Sequence, residues 1–234
     1  MAYILHLESS TPVCSVALAY KGKLVDMLES TENQNHARLM AVFADELLRK
    51  NKITTNQLAA VAVSQGPGSY TGLRIGVSLA KGLCFASELP LIAVSPLQAM
   101  CAGVLHAARE KGEEVLPGTI LMPMIDARRM EVYTAQYNVE LQELKAVSSL
   151  IIDQHAFAAE LREHPVWFFG NGAAKCAAQL QHPNARFVPG IYTSAQFMCE
   201  LAYRAFTAEQ VVNLAYFEPF YLKDFIAGTP KKMI

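Results

Sequence analysis

Residues Ser64 to Leu83 read SQGPGSYTGLRIGVSLAKGL. The apolar run Ala59 to Val63 in front of them is short enough for a buried strand, and a proline-free stretch with helical spacing follows. Gly66, Gly68 and Gly72 let the backbone turn sharply, and Ser69 or Thr71 stands where a helix needs a cap. The stretch therefore reads as a strand, a glycine-rich turn and a helix. Bare amides at such a turn attract anions, as phosphate loops do. The spacing matches neither a Walker loop, which closes on Gly-Lys-Ser/Thr, nor the dinucleotide fingerprint, so the glycines are read as a tight connection. Along the helix Gly72, Gly76 and Ala80 recur every fourth residue and make a smooth stripe, while Arg74, Ser78 and Lys81 fall on a polar side. A mid-helix glycine costs about 1 kcal/mol against alanine. The stripe thus calls for a packing purpose, inside the chain or against a second subunit.

Composition bounds what such a chain can be. Its 234 residues, 52% of them hydrophobic, suffice for a full core in one large domain or two small ones. The formal charge of −1, with no basic block beyond Lys231-Lys232, argues against RNA binding by the chain alone. Five scattered cysteines, Cys14, Cys84, Cys101, Cys176 and Cys199, read as reduced core residues. No apolar run reaches eighteen residues and no basic segment precedes an apolar core, so a membrane span and a signal peptide are not expected, and the expected location is the cytoplasm.

Taken in order, Tyr3 to Leu7, Val13 to Tyr20 and Leu24 to Glu29 read as three strands, with a helix from His36 to Lys50 capped by Asn35. Leu39, Phe43 and Leu47 form the ridge of that helix, and Met40 and Val42 widen it beyond what one sheet face covers. A strand Leu91 to Val94 and a helix from Pro96 to Arg109 follow the glycine stretch. The pattern then partly repeats: strands Ile120 to Ile125 and Glu131 to Tyr137, a polar stretch, a helix Asp153 to His164, a strand Val166 to Phe169, and a helix to Gln181 after Gly170-Asn171-Gly172. Ser194 caps a last helix, and Tyr216 to Phe225 is an extended aromatic tail. Three antiparallel strands followed by alternating helices and strands indicate a ribonuclease-H-like unit, present twice and degenerate the second time.

The runs GPGSYTGLRIG, ILHLESSTPVCSVAL, DARRMEVY and PFYLKDF together resemble the TsaB (YeaZ) family, over Tyr3 to about Phe225 and more loosely in the second half. The resemblance implies an α/β, two-lobed actin-like and Hsp70-like ATPase fold. Residues 1–108 would form the first subdomain and residues 109–207 the smaller second one, with the tail from about 208 to 234 returning to the first. It implies a non-catalytic partner of TsaD, with TsaE as a third, ATP-hydrolysing member, in forming threonylcarbamoyladenosine beside the anticodon of tRNA. A homodimer when alone, and contact with tRNA only through the complex, belong to the same expectation. Leu39, Phe43, Gly72, Arg74, Gly76 and Ala80 are then the expected partner interface.

A competing reading makes the chain an autonomous ATPase or small-molecule kinase. Glu8 ends the first strand before Ser9-Ser10-Thr11, and Asp126 ends the first strand of the second half, so carboxylates and hydroxyls would face each other across a cleft and hold magnesium and phosphate. Against this, the family usually has aspartate where Glu8 stands, and strand-end acids followed by Ser and Thr are ordinary turn chemistry. No cofactor of its own is therefore expected, with ATP or ADP confined to the complex. TsaD binds metal through two histidines four apart after a strand, and the matching Val94 to Met100 holds neither. The six histidines show no pairing at three or four residues and read as surface or capping residues, so no metal site is expected. Cys14 has no base beside it in sequence, and no Gly-x-Ser-x-Gly elbow exists.

Overall fold

The computed structural model describes residues 2–32 and 36–223. Strand β1 (Tyr3–Glu8) takes the centre of its sheet because both of its faces are apolar. Leu5 and Leu7 enter one cluster and Ile4 another. β2 (Cys14–Tyr20) pairs antiparallel with β1, and β3 (Lys23–Ser30) folds back on β2 through a turn in which Lys21 and Gly22 both take positive φ. On the other side β4 (Leu58–Ser64) and then β5 (Leu91–Val94) add in parallel, so the order is β3-β2-β1-β4-β5.

Helices α1 (His36–Lys50) and α2 (Tyr70–Ser87) lie against each other and against the cluster built on Leu5, Leu7, Val61 and Val63. Asn35, the expected cap of α1, lies outside the described residues. α3 (Pro96–Glu110) starts with Ser95 accepting from Gln98 N at 3.4 Å and with proline in its first turn. Its Leu97, Met100 and Val104 pack on the second sheet, while Ala99 joins the core of the first.

The second sheet repeats the first. β6 (Ile120–Asp126) is central, β7 (Glu131–Tyr137) and β8 (Glu143–Ile151) run antiparallel beside it, and β9 (Val166–Phe169) and β10 (Ala185–Phe187) add in parallel on the other side. The same strand order occurring twice makes this a two-lobed actin-like fold built from two ribonuclease-H-like units.

The degeneracy sits in the helices and not in the strands. The polar stretch after β7 is the edge strand β8. The helix expected from Asp153 shrinks to α4 (Ala158–Glu163), because Asp153 Oδ1 accepts from His155 N at 2.8 Å and Phe157 takes φ +60°. The helix expected after Gly172 is a single 3-10 turn, Ala174–Cys176. The last helix, α5 (Cys199–Thr207), follows a 3-10 turn and packs Ala202 onto the first sheet beside Ile4, Ala60 and Ile92. All five cysteines are buried and free.

One close approach sets the first lobe. A Cβ added to Gly68 would stand 2.2 Å from Ser10 O, one on Gly72 2.1 Å from Ser9 O, and one on Gly76 2.4 Å from Ser9 Oγ. The glycines, four apart on one side of the turn and helix, are the seat of the Ser9–Ser10 turn. Gly72, Gly76 and Ala80 are buried in their own chain, which corrects the expectation that they form a seam with a partner. Gly72→Ala should cost about 1–3 kcal/mol, since backbone must yield. Gly76→Ala meets only a hydroxyl and should lose less, and Ser9→Ala should restore most of that loss in the double variant. Denaturant unfolding of the four chains reads this cycle, and full additivity would mean that Gly76 is not seated on Ser9.

Candidate functional site

β1 and β6 end on the same cleft, of about 660 Å³, whose walls include Ser10, Gly68, Tyr70, Asp126, Arg128 and Tyr221. Glu8 closes β1 with no exposure. Its Oε1 accepts from Ser10 N and Ser10 Oγ, each at 2.6 Å, as an Asx-like turn would. The other oxygen, Oε2, and the hydroxyl of nearby Ser64 are both sealed from water without a hydrogen bond of ordinary geometry. Burial raises the Glu8 pKa above its usual 4.5, against the pull of the hydroxyls and amides around it. Burial, helped by the charge of Glu8, pushes the Cys14 thiol up to about 11, which leaves it inert.

The second lobe brings a different carboxylate. Asp126 donates its amide to Asn171 Oδ1 at 3.0 Å, and its Oδ1 accepts from Arg128 N at 2.9 Å and pairs with the Lys175 ammonium. Lys175 comes from the 3-10 turn after Gly172. It also donates to Arg129 O and Glu131 O, each at 2.7 Å, and so holds the β6–β7 turn in which Arg128 and Arg129 take positive φ. The Ala127 to Arg129 segment, with Glu131, is thus a clamped hairpin turn.

The glycine turn is equally committed. Ser69 N donates to Ser10 O at 2.6 Å, and Ser69 Oγ accepts from Gly72 N at 3.2 Å, so part of the first turn of α2 is capped from within. Over its mouth lies the C-terminal segment. Phe220 N donates to Gln65 O at 2.7 Å, and the Tyr221 ring stands 4.8 Å from that of Tyr70.

The structure brings Ser10 and Asp126 to one cleft but leaves Glu8 and Ser9 behind its wall. Around these groups one carboxylate is sealed, the other pairs with an ammonium, and Gly72 N at the start of α2 is taken by Ser69 Oγ. Among the described residues no three His, Cys, Asp or Glu side chains gather as a metal set. Two histidines also depart from the surface or capping reading. His6 has no exposure, donates through Nδ1 to Ala17 O at 3.3 Å, and has its pKa lowered by burial to about 4, while His36 is buried with Nε2 3.2 Å from Val13 O.

A second concavity, about 560 Å³, runs between α1 and α2 and is lined by Ala37, Ala41, Tyr70, Arg74, Ile75 and Ser78 among others. Arg74 is exposed there, with its guanidinium 4.1 Å from the centre of the Tyr70 ring. Leu39 and Phe43 are half-buried on the core below and do not line it.

The sequence model of the family described as TsaD, tRNA N6-adenosine threonylcarbamoyltransferase, matches residues 29–230. The TsaB protein of Haemophilus influenzae, named for tRNA threonylcarbamoyladenosine biosynthesis, is 29% identical over 232 residues, which cover 94% of this chain and 93% of that protein. The solved structure of YeaZ from Pseudomonas aeruginosa superposes with a TM-score of 0.78 at 27% identity, over 95% of this chain and all of that one. The chain belongs to the TsaD family, on its TsaB (YeaZ) branch. TsaB of Escherichia coli shares 37% identity over a shorter stretch of 134 residues, 57% of this chain and 54% of that protein. Where the resemblance places the TsaD metal ligands, this TsaB-branch chain has Leu97, Ala99 and Met100 in the core and Gln98 Nε2 donating to Leu141 O at 3.0 Å.

Sequence reasoning missed Lys175 and Tyr221. Only the lone charge of Lys175 in the small-residue run Gly172 to Ala178, and the aromatic tail itself, hinted at them. The buried acid yields a pH prediction. Because the folded pKa of Glu8 lies above 4.5, the folded chain holds this proton more tightly than the unfolded one. The stability it contributes is complete below pH 4.5 and is lost as pH rises through the folded value. Glu8→Gln keeps an acceptor for Ser10 and adds a donor for Ser64. It should raise Tm at pH 8, by roughly 2–4 °C for each kcal/mol relieved, and should flatten the fall in Tm as pH rises above 4.5. An unchanged or lower Tm at pH 8 would show that the acid is not held under strain.

Proposed function

We propose that the chain is a non-catalytic subunit of tRNA threonylcarbamoyladenosine formation. It binds a TsaD-type transferase, with a TsaE-type ATPase as third member, and contributes no group to the transfer onto the adenosine beside the anticodon. The observation that carries this reading is Lys175, whose ammonium neutralises the cleft carboxylate a nucleotide-bound metal would need. Sealed Glu8 supports the same conclusion, and so do the names of the relatives. The groove between α1 and α2 is the surface the partner fills, because it is apolar along Ala37, Ala41 and Ile75. A second copy of the chain takes this face when the transferase is absent, and tRNA is reached through the complex because the chain is nearly neutral.

The chain would divide near residue 108, with residues from about 208 returning to the first half; the pairing of Val212 with Leu91 supports that return. No helix of the described residues is long and apolar enough to cross a membrane, in keeping with a role in the cytoplasm.

The groove is tested by Ala41→Arg and Ser78→Arg, both at exposed positions that line it. Each should weaken binding to a TsaD homologue by roughly tenfold to a hundredfold in calorimetry, since each places an unpaired charge in an apolar contact. Tm should stay within about 1 °C, as expected for exposed positions. Wild-type affinity in both would put the partner elsewhere. Catalysis is tested separately by Glu8→Gln and Asp126→Asn in a reconstituted modification assay, where activity should stay within a few-fold of wild type. A loss of about a thousandfold with the complex intact, or tight binding of magnesium-ATP by the isolated chain, would favour the kinase reading instead.

A further inference from the structure

After α5 the chain runs along the first lobe and then crosses to the second. Val212 N donates to Leu91 O at 3.0 Å, covering the edge of β5. Lys81 of α2 donates to Ala215 O at 3.1 Å and Phe217 O at 3.0 Å. Phe220 N meets Gln65 O, and a Cβ on Gly66 would stand 2.6 Å from Phe220 O. The Tyr221 hydroxyl accepts from Arg74 Nε at 3.3 Å while its ring packs on Tyr70. Two residues later Lys223 pairs with Glu131 on β7 and lies 5.9 Å from the centre of the Tyr133 ring. Tyr221 is therefore fixed to the first lobe and Lys223 to the second, with the cleft between them.

The anchors on the two sides differ from a core contact in strength. Exposed ion pairs and cation–π contacts are individually weak, and here they act together because one short segment carries both. A fastening made this way holds but releases readily. Its first-lobe end also shares residues with the docking groove: Arg74 and Tyr70 line that groove, and the same two hold Tyr221.

We propose that residues 220–223 are a latch joining the two lobes across the cleft, and that a partner segment filling the α1–α2 groove releases it by taking Arg74 and Tyr70 from Tyr221. The release half rests on the proposed docking face; the latch half does not. Coupling of this kind is reciprocal, so whatever unfastens the latch also raises affinity for the partner.

Hydrogen exchange read by mass spectrometry tests both halves. In the isolated chain, Tyr221→Ala and Lys223→Glu should each speed exchange of residues 127–131 roughly tenfold or more, with β1 and β4 unchanged. Tyr221→Phe keeps the ring and loses the acceptor hydroxyl, and should fall between. Unaltered exchange at 127–131 in both severe variants overturns the latch. So does faster exchange throughout β1 and β4, which would mean that the variants loosen the fold itself. In the second arm a TsaD homologue is added in excess to the wild-type chain. Protection of α1 and α2 with faster exchange at 220–223 supports release, whereas the same protection with the strap unchanged or slowed overturns it. If neither helix is protected, the docking reading fails and release fails with it, while the first arm still decides the latch.

Discussion

The first lobe is organised by the contact of one backbone turn with one bare helix face. The backbone of Ser9 and Ser10 comes close enough to exclude any side chain at Gly68 or Gly72, and the Ser9 hydroxyl crowds Gly76. Several features follow from that approach. Ser10 is drawn close enough to cap the start of α2 through its carbonyl, Glu8 is folded inward to satisfy Ser10, and α2 is held at a fixed height beside α1. The groove between the helices is thus shaped from below by β1, although no residue of β1 lines it. Cleft and groove are two sides of the same packing solution, with Tyr70 and Thr71 lining both.

The sequence made the local half of this legible. Apolar runs, glycines, the capping candidate Ser69 and the proline Pro96 locate β4, α2 and α3, and the duplicated order of strands and helices indicates the two-lobed fold. Each of those signals acts over a few residues. The rest depends on contacts that local patterns do not carry. Glycines spaced by four suit a helix–helix seam and a backbone seat equally well, and only the position of Ser9 decides between them. β8 reads as polar because it is an edge strand with much of its length in water, so its alternation is diluted. Lys175 meets Asp126 from 49 residues away, and Tyr221 meets Arg74 from 147 away, separations at which sequence spacing holds no geometric information. Six histidines without metal spacing say nothing of metal, yet two of them lie in the core, where a hydrogen bond to a carbonyl is all that a neutral imidazole needs.

His6 and Glu8 stand two apart on one face of β1 and make opposing demands. Burial holds the imidazole neutral, which stabilises the fold above pH 6.5 and is lost as pH falls toward about 4. Burial also favours the neutral carboxyl, which stabilises below pH 4.5 and is lost as pH rises. No single pH relieves both, so these two groups leave the first sheet short of its best stability at every pH. Apolar residues of similar volume at both places would remove the conflict.

Helix α3 belongs to both lobes at once. Ala99 lies in the core of the first sheet and Leu97, Met100 and Val104 in that of the second, while Gly103 leaves room for the Phe197 ring, whose atoms come within 2.7 Å of where a Cβ would stand. A shared helix of this kind makes the molecule indivisible. Neither sheet can complete its hydrophobic layer until the other has been synthesised, so the nascent first half waits, with one flank of α3 uncovered, for roughly another hundred residues to leave the ribosome. The two units share a strand order, and the helix between them gives each a part of its core.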